Sequence, residues 1–275
     1  MHYSRLPCLA LRPFVKRLWL SCQAATRPAC EHVLPTGDMH LVFRLRGAPL
    51  RLVNEGRPAS EGFSSAVIGG PRTTFYGKWM GDAVYSVGVQ FYPGAAEPLF
   101  GVPADTLAER HTNLDAVWGH HAEQLWERLL AAPTPEQQLR VLETVMLARL
   151  PGYSLSVSGV MHPAISFGLG RFAQGATVTE VVRESGYSHR YFNALFKRAT
   201  GLSSKAYCRV RRLQHVLAAP RDTALAELAL AAGFADQAHL QREFRALTGV
   251  TPLAYRHLAP QFTHHLQVNF LQDRD

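Results

Sequence analysis

The feature that most constrains this chain is a degenerate repeat near its C-terminal end. Residues 223–256 read TALAELALAAGFADQAHLQREFRALTGVTPLAYR, and residues 177–207 read TVTEVVRESGYSHRYFNALFKRATGLSSKAY. Gly186 and Gly233 are 47 apart, whereas Ser188/Asp236, Phe192/Leu240, Phe196/Phe244 and Gly201/Gly249 are each 48 apart. One inserted residue in the turn, near Ala235, accounts for the change. Helical bundles produce amphipathic helices readily, but they rarely reproduce caps, glycines and aromatics in one register. The pattern predicts two copies of one unit: a short helix, a glycine turn, a second helix, then a closing helix.

Local chemistry supports each copy. In the first, Thr177-x-x-Glu180 is a capping box, Val178, Val181 and Val182 are apolar, Gly186 supplies the turn and Ser188 caps the second helix. Phe192 and Phe196 are four apart and share a buried face. In the second copy, Thr223 is the expected N-cap and Leu225, Leu228 and Ala229 the buried face. Gly233 stands where the turn needs a positive φ, which glycine tolerates without Cβ strain. Asp236 caps the second helix, Leu240 and Phe244 face inward with Phe234 closing over them, and Thr251-Pro252 starts the closing helix. Between the copies, Tyr207, Val210, Leu213, Val216 and Leu217 form a helical stripe. Its roughly 16 residues would span about 24 Å, enough to hold both second helices on one face of a duplex whose major groove repeats every ~34 Å.

Charge is distributed to match. The chain carries 29 Lys/Arg and 21 Asp/Glu, a formal net charge of +8. Residues 161–260 hold 13 Lys/Arg against 6 Asp/Glu, and the remainder 16 against 15. The excess sits on the repeats, as a polyanion-binding footprint requires. Lys197, Arg198, Arg209, Arg211, Arg212 and Arg245 are the phosphate-contact candidates; such contacts position a protein without reading sequence. Glutamine and arginine suit base edges because they make paired hydrogen bonds to adenine and guanine.

Residues of about 160–259 resemble the DNA-binding domain of AraC/XylS-type transcription regulators. The resemblance rests on Ala229, Gly233, Phe234, Leu240, Phe244, Thr248-Gly249, Pro252 and Tyr255-Arg256, and in the first copy on Gly186-Tyr187, Phe192, Phe196-Lys197, Thr200-Gly201 and Tyr207. It implies seven helices with two recognition helices in successive major grooves. Carried over by motif position, the base-facing candidates are His189, Arg190, Asn193 and Ala194, then Gln237, Ala238, His239, Gln241 and Arg242. Ala194 replaces a residue that is commonly polar or basic in the family and cannot donate a hydrogen bond, so the first helix is expected either to read more weakly or to use a thymine methyl. Ser203-Ser204 replaces the Thr-Pro start of the second copy, so that helix start is expected to be less well set.

Upstream the pattern changes. Alternation in MHLVFRLRG, where Leu41, Phe43 and Leu45 interleave with Val42, Arg44 and Arg46, predicts a half-buried strand. Further short strands are expected at residues 11–19, 50–53, 66–68, 73–79 and 83–91, giving a small sandwich or barrel over about 10–92. LPTGDMHLVF, VGVQFYPGAAEPLFGVP and LDAVWG are similar to cupin-like sensing domains that precede such readers, which implies a barrel that senses a small molecule or mediates association. Helices are expected at residues 95–101, 113–131 and from Pro135, where Thr134 and Gln137 form a cap. The stripe Leu139, Leu142, Val145, Met146 and Leu150 either packs on the β core or makes a dimer contact.

The expected fold is α+β: residues 1–150 as a β-rich sensing or dimerisation domain with C-terminal helices, 151–160 as linker, 161–260 as the all-α double helix-turn-helix domain, and an unassigned tail, 261–275. The expected function is sequence-specific transcription regulation, more often activation. Expected partners are duplex DNA, RNA polymerase, a small-molecule effector and a second copy of the chain. The N-terminus has no apolar core followed by a cleavage site, and no window approaches ~18 apolar residues, so a cytoplasmic protein without membrane contact is predicted. The alternatives are a regulator controlled only by abundance or protein contacts, and a reader fused to an enzyme, either a cysteine alkyl-acceptor at Cys8 or a metal-dependent barrel. Cys8 has no basic or His activator adjoining it in sequence. His32, Asp38 and His40 lack a His-x-His plus Glu set, His120-His121 diverge on a helix, and neither a cofactor nor a metal is predicted.

Overall fold

A computed structural model describes residues 2–27, 29–54, 57–58, 62–150, 161–260 and 262–268. The proposed linker, 151–160, and the end of the tail, 269–275, lie outside the described residues. The N-terminal half holds β1 (His2–Arg5), β2 (Val15–Gln23), β3 (Ala29–Val33), β4 (Met39–Arg46), β5 (Val53–Asn54), β6 (Arg57–Pro58), β7 (Ala66–Gly69), β8 (Tyr76–Met80), β9 (Val84–Phe91) and β10 (His111–Asn113). Its helices are α1 (Ala96–Phe100), α2 (Asp115–Trp118), α3 (His121–Ala131) and α4 (Pro135–Arg149). The C-terminal half holds α5 (Pro163–Ala173), α6 (Val178–Ser185), α7 (His189–Thr200), α8 (Ser204–Ala218), α9 (Leu225–Ala231), α10 (Gln237–Thr248) and α11 (Pro252–Leu258), followed by β11 (His265–Val268). No helix among the described residues is long and apolar enough to cross a membrane.

A six-stranded sheet, ordered β1-β2-β9-β4-β7-β10, faces a three-stranded sheet, ordered β11-β3-β8. The alternation in β4 divides the large sheet's two sides. Leu41 and Phe43, with Leu18, Leu20, Ile68, Val87, Val89 and Phe91, form one fully buried face. That face packs against Leu99, Leu125, Leu129, Leu139, Leu142 and Met146 of the helices in one cluster. The stripe of α4 is therefore consumed by the core, and the dimer contact proposed through it is unavailable. The opposite face carries His40, Val42, Arg44, Arg17, Trp19, Ser86 and Gln90, and lines a cavity of about 520 Å³ roofed by Val33, Tyr76, Lys78 and residues 262–265. Gly88 lets Trp19 lie on this floor, because a Cβ there would enter the Trp19 ring.

Several expectations need correction. Residues 113–131 form two helices, broken at Gly119, whose φ of 56° ends α2. The lead-in strand starts at Val15 rather than residue 11, and β1, β3, β6 and β10 lie outside the predicted set. The tail, which has no period in sequence, forms β11 by pairing antiparallel with β3, from His265 opposite Val33. Glu31 fixes this pairing: its carboxylate lies 2.7 Å from His265 and 2.9 Å from Lys78. Burial pushes the Glu31 carboxyl up, but the His265 hydrogen bond and the Lys78 charge outweigh it and hold it down at about 2.

Candidate nucleic-acid interface

The turn glycines and the caps of both second helices form as the sequence predicts. In the first, Thr177 and Glu180 close a capping box, Gly186 adopts φ 73°, and Ser188 accepts from the Tyr191 N–H. In the second, Gly233 adopts φ 76° and Asp236 accepts from the His239 N–H at 2.6 Å. Phe192 and Phe196 are fully buried, as are Leu240 and Phe244. The copies also repeat a detail not singled out in the sequence. Thr200 donates to the Phe196 carbonyl and Thr248 to the Phe244 carbonyl, each at 2.8 Å.

Two helix starts differ from expectation. Thr223 does not cap α9; the cap position is Ala224, which makes no side-chain bond. With the 47-residue offset, Ala224 is the counterpart of Thr177; Glu227 stands three residues later as Glu180 does after Thr177, but alanine has no side-chain oxygen to complete the capping box. The Thr223 carbonyl instead accepts from Arg256 at 2.6 Å, tying α11 to the α8–α9 connection. The start of α8 is as well set as that of α11. Ser203 accepts from the Ala206 N–H and Thr251 from the Ala254 N–H, both at 3.2 Å.

The recognition-helix candidates divide into two groups. His189, Arg190, Ala194, Gln237, Ala238, Gln241 and Arg242 are exposed. Asn193 is half-buried: its amide donates to the His189 carbonyl at 3.1 Å, and its Oδ1 accepts from Ser204 Oγ at 2.5 Å and the Ser204 N–H at 3.3 Å. His239 accepts from the Ala235 N–H at 3.3 Å and packs edge-on against Phe234. Tyr187 and Tyr191 are not among the base-facing candidates; their rings are exposed, 5.1 Å apart, beside His189 and Arg190. Their four-residue spacing, offset from the buried Phe192/Phe196 pair, was the available signal.

The basic candidates divide likewise. Lys197, Arg211 and Arg245 are exposed. Arg209 forms a two-pronged pair with Glu243, 2.6 and 3.2 Å, joining α8 to α10. The hydrogen bond from Arg209, with burial opposing and the Arg209 charge adding, holds the Glu243 carboxyl below its usual range. Arg212 donates to the Gly233 carbonyl at 3.3 Å and lies over the Phe234 ring. Arg198 pairs with Glu97 of α1 at 2.6 Å.

That last pair belongs to a seam between the two halves. The loop from Gly70 to Phe75 reaches both copies. A Cβ on Gly201 would enter Pro71 and crowd the Ala104 carbonyl, and one on Gly249 would stand 2.7 Å from the Phe75 ring. The Phe75 N–H donates to the Leu247 carbonyl at 2.9 Å. Beside it, the Pro35–Gly37 turn rests on α8, where Gln214 donates to the Pro35 carbonyl at 2.7 Å. The alternative sites are placed as follows. His32 stacks on Phe75 within this seam. Asp38 pairs with Lys16 at 3.0 Å. Cys8 is half-buried, with its N–H on the Glu143 carboxylate at 2.6 Å.

Residues 174–258 match a family described as a helix-turn-helix domain. The matched segment spans both repeated units, the part of the chain that resembles the reader domain of AraC/XylS-type regulators. Residues 3–113 match a domain of unknown function, DUF6597. Within the reader, the chain is similar to the Transposon Tn10 TetD protein of Escherichia coli, 35% identical over 85 residues, covering 30% of this chain and 62% of that one. It is also similar to the melibiose operon regulatory protein of E. coli K12, 29% identical over 92 residues, 33% of this chain and 30% of that one. The chain thus spans less than two thirds of either relative's length. Superposed on apo ToxT of Vibrio cholerae, it gives a TM-score of 0.45 at 11% identity, covering 87% of this chain and 97% of that chain. The seven helices α5–α11 are the complement that an AraC/XylS-type reader implies.

Proposed function

We propose that this protein is a sequence-specific transcription regulator that reads two successive major grooves with α7 and α10, and that its N-terminal barrel sets reader geometry in response to a small molecule. One observation carries the reading: a single repeated scaffold presents two capped helices whose outward residues are polar and exposed, on the part of the chain that holds the excess positive charge. Base reading falls to Gln237, Gln241 and Arg242, with His189 and Arg190 in the first copy; Ala194 and Ala238 offer only methyl contacts. Lys197, Arg211 and Arg245 meet phosphates, and Arg198, Arg209 and Arg212 brace the scaffold beside them. Its target is promoter DNA in the cytoplasm, a reading supported by the likeness to a protein named as the melibiose operon regulatory protein, and activation through RNA polymerase is the expected output.

The test is selection of bound duplexes from a random pool by the full chain. The expected product is two conserved elements about 10 base pairs apart. Arg242→Ala is expected to lose preference at one position within one element, worth about 1–3 kcal/mol. A pool that emerges without any conserved element would refute sequence reading.

A further inference from the structure

The barrel cavity has a polar floor that the period-2 pattern would place in solvent, and the three-stranded sheet covers it. Its charge is unbalanced. Of the acids nearby, Asp38 is held by Lys16 and Gln90, and Glu31 by Lys78 and His265. Arg17, Arg44 and Arg72 also line the cavity, and among the described residues none forms an ion pair with a carboxylate. Arg17 donates to the neutral Gln90 at 2.6 Å and Arg44 to the Ala48 carbonyl at 2.6 Å. Arg72 lies against the Tyr76 ring and 2.9 Å from His111 Nδ1, and its buried Nε–H has no partner. A guanidinium only donates, so His111 Nδ1 must accept. Burial, reinforced by the Arg72 and Lys78 charges, pushes His111 down to about 3, so it adds no competing charge at neutral pH. Burial likewise pushes the Tyr76 phenol up to about 12, leaving it a donor.

We infer that this cavity binds a small organic anion, a carboxylate or phosphate ester, with Arg72 as the anchoring cation and Val33, Leu34, Val42, Leu50 and Val67 beside the apolar part. A half-buried guanidinium with a free N–H is satisfied by an anion that supplies paired acceptors, and the volume falls in the ordinary range for small-ligand sites. This deepens the sensing role and rests on that reading for its consequence. Arg72 stands between Pro71, which meets Gly201, and Phe75, which meets Gly249. An anion drawing on Arg72 therefore pulls on the loop that touches both readers.

The experiment titrates the full chain, without DNA, with 8-anilinonaphthalene-1-sulfonate and with its uncharged analogue N-phenyl-1-naphthylamine. The anionic dye is expected to bind one site, at least tenfold more tightly than the neutral one. Arg72→Met should weaken the anionic dye at least tenfold and leave the neutral dye unchanged, and Arg72→Lys should restore part of the loss. Circular dichroism checks that both variants are folded, and Arg44→Met provides a second test should Arg72→Met fail to fold. Benzoate should displace the dye where benzyl alcohol does not, and comparison with hexyl phosphate tells carboxylate from phosphate ester. Equal binding of both dyes, or anionic-dye binding indifferent to Arg72 and Arg44, overturns the anion site. Because DNA is absent, that result leaves the DNA-reading proposal standing, and a failed duplex selection leaves this site standing.

Discussion

The two copies share one scaffold and use it differently. At the position of Asn193 the second copy has Gln241, and at the position of Ser204 it has Pro252. These two differences are one. Asn193 accepts both the N–H and the hydroxyl of Ser204; Pro252 has neither group, so Gln241 is exposed. In the first copy an amide on the recognition helix fastens the next helix. In the second, proline pre-sets that start and the amide is available to a base. The exposed Arg242, facing Ala194 in register, widens the difference. A repeat that duplicates helices need not duplicate function: on the proposed reading, the first copy contributes more to positioning and the second more to base recognition.

The firmest test of shared architecture comes from the glycines. Gly186 and Gly201 both have positive φ, but only Gly201 abuts the N-terminal half. Alanine at Gly186 should cost about 1–2 kcal/mol for left-handed backbone alone. Gly201→Ala should add overpacking against Pro71 and Ala104, for about 2–5 kcal/mol in total. Urea unfolding of the two variants measures the gap. Equal costs would mean that the first copy is not seated against the barrel in solution.

The division between positioning and reading is tested next. Asn193→Ala strands the buried Ser204 groups and is expected to lower stability by about 1–3 kcal/mol. It should weaken all duplexes alike. Gln241→Ala should leave the unfolding midpoint unchanged and relax selectivity at one base pair. If Asn193→Ala instead changes base preference while the midpoint holds, Asn193 is a reader and the asymmetry fails.

How much of this was legible in advance follows the range of the forces involved. Caps and turn glycines act within four residues, so Thr177, Ser188, Asp236 and Gly233 could be read directly. Thr223 misled because its neighbour Ala224 holds the cap position, and nothing local marks an uncapped start. Strand β4 was legible on its buried side; its other side looked solvated because the roof is supplied by β3, β8 and the tail, distant in sequence. β11 has no period of its own and exists through β3. The Asn193–Ser204 bond was half visible: the missing proline was noticed, and its partner follows from comparing the copies position by position. The ion pairs of Arg198 and Arg209 span 101 and 34 residues and left no local mark.

Those arginines supply the finest test. Arg209 and Arg211 lie two apart on the basic helix between the copies, and sequence treats them as equivalent phosphate contacts. The structure separates them, with Arg209 braced on Glu243 and Arg211 exposed. A phosphate contact releases counterions, so its loss should reduce the slope of log affinity against log salt by about 1. Arg211→Ala is expected to show that reduction with unchanged stability. Arg209→Ala should keep nearly the full slope and lose up to about 1 kcal/mol of stability, the scale of a partly exposed ion pair. Glu243→Gln should reproduce that loss, since it removes the same pair from the other side while leaving every positive charge in place. If Arg209→Ala lowers the slope as Arg211→Ala does, Arg209 exchanges Glu243 for a phosphate on binding, and α8 moves relative to α10 when DNA is engaged.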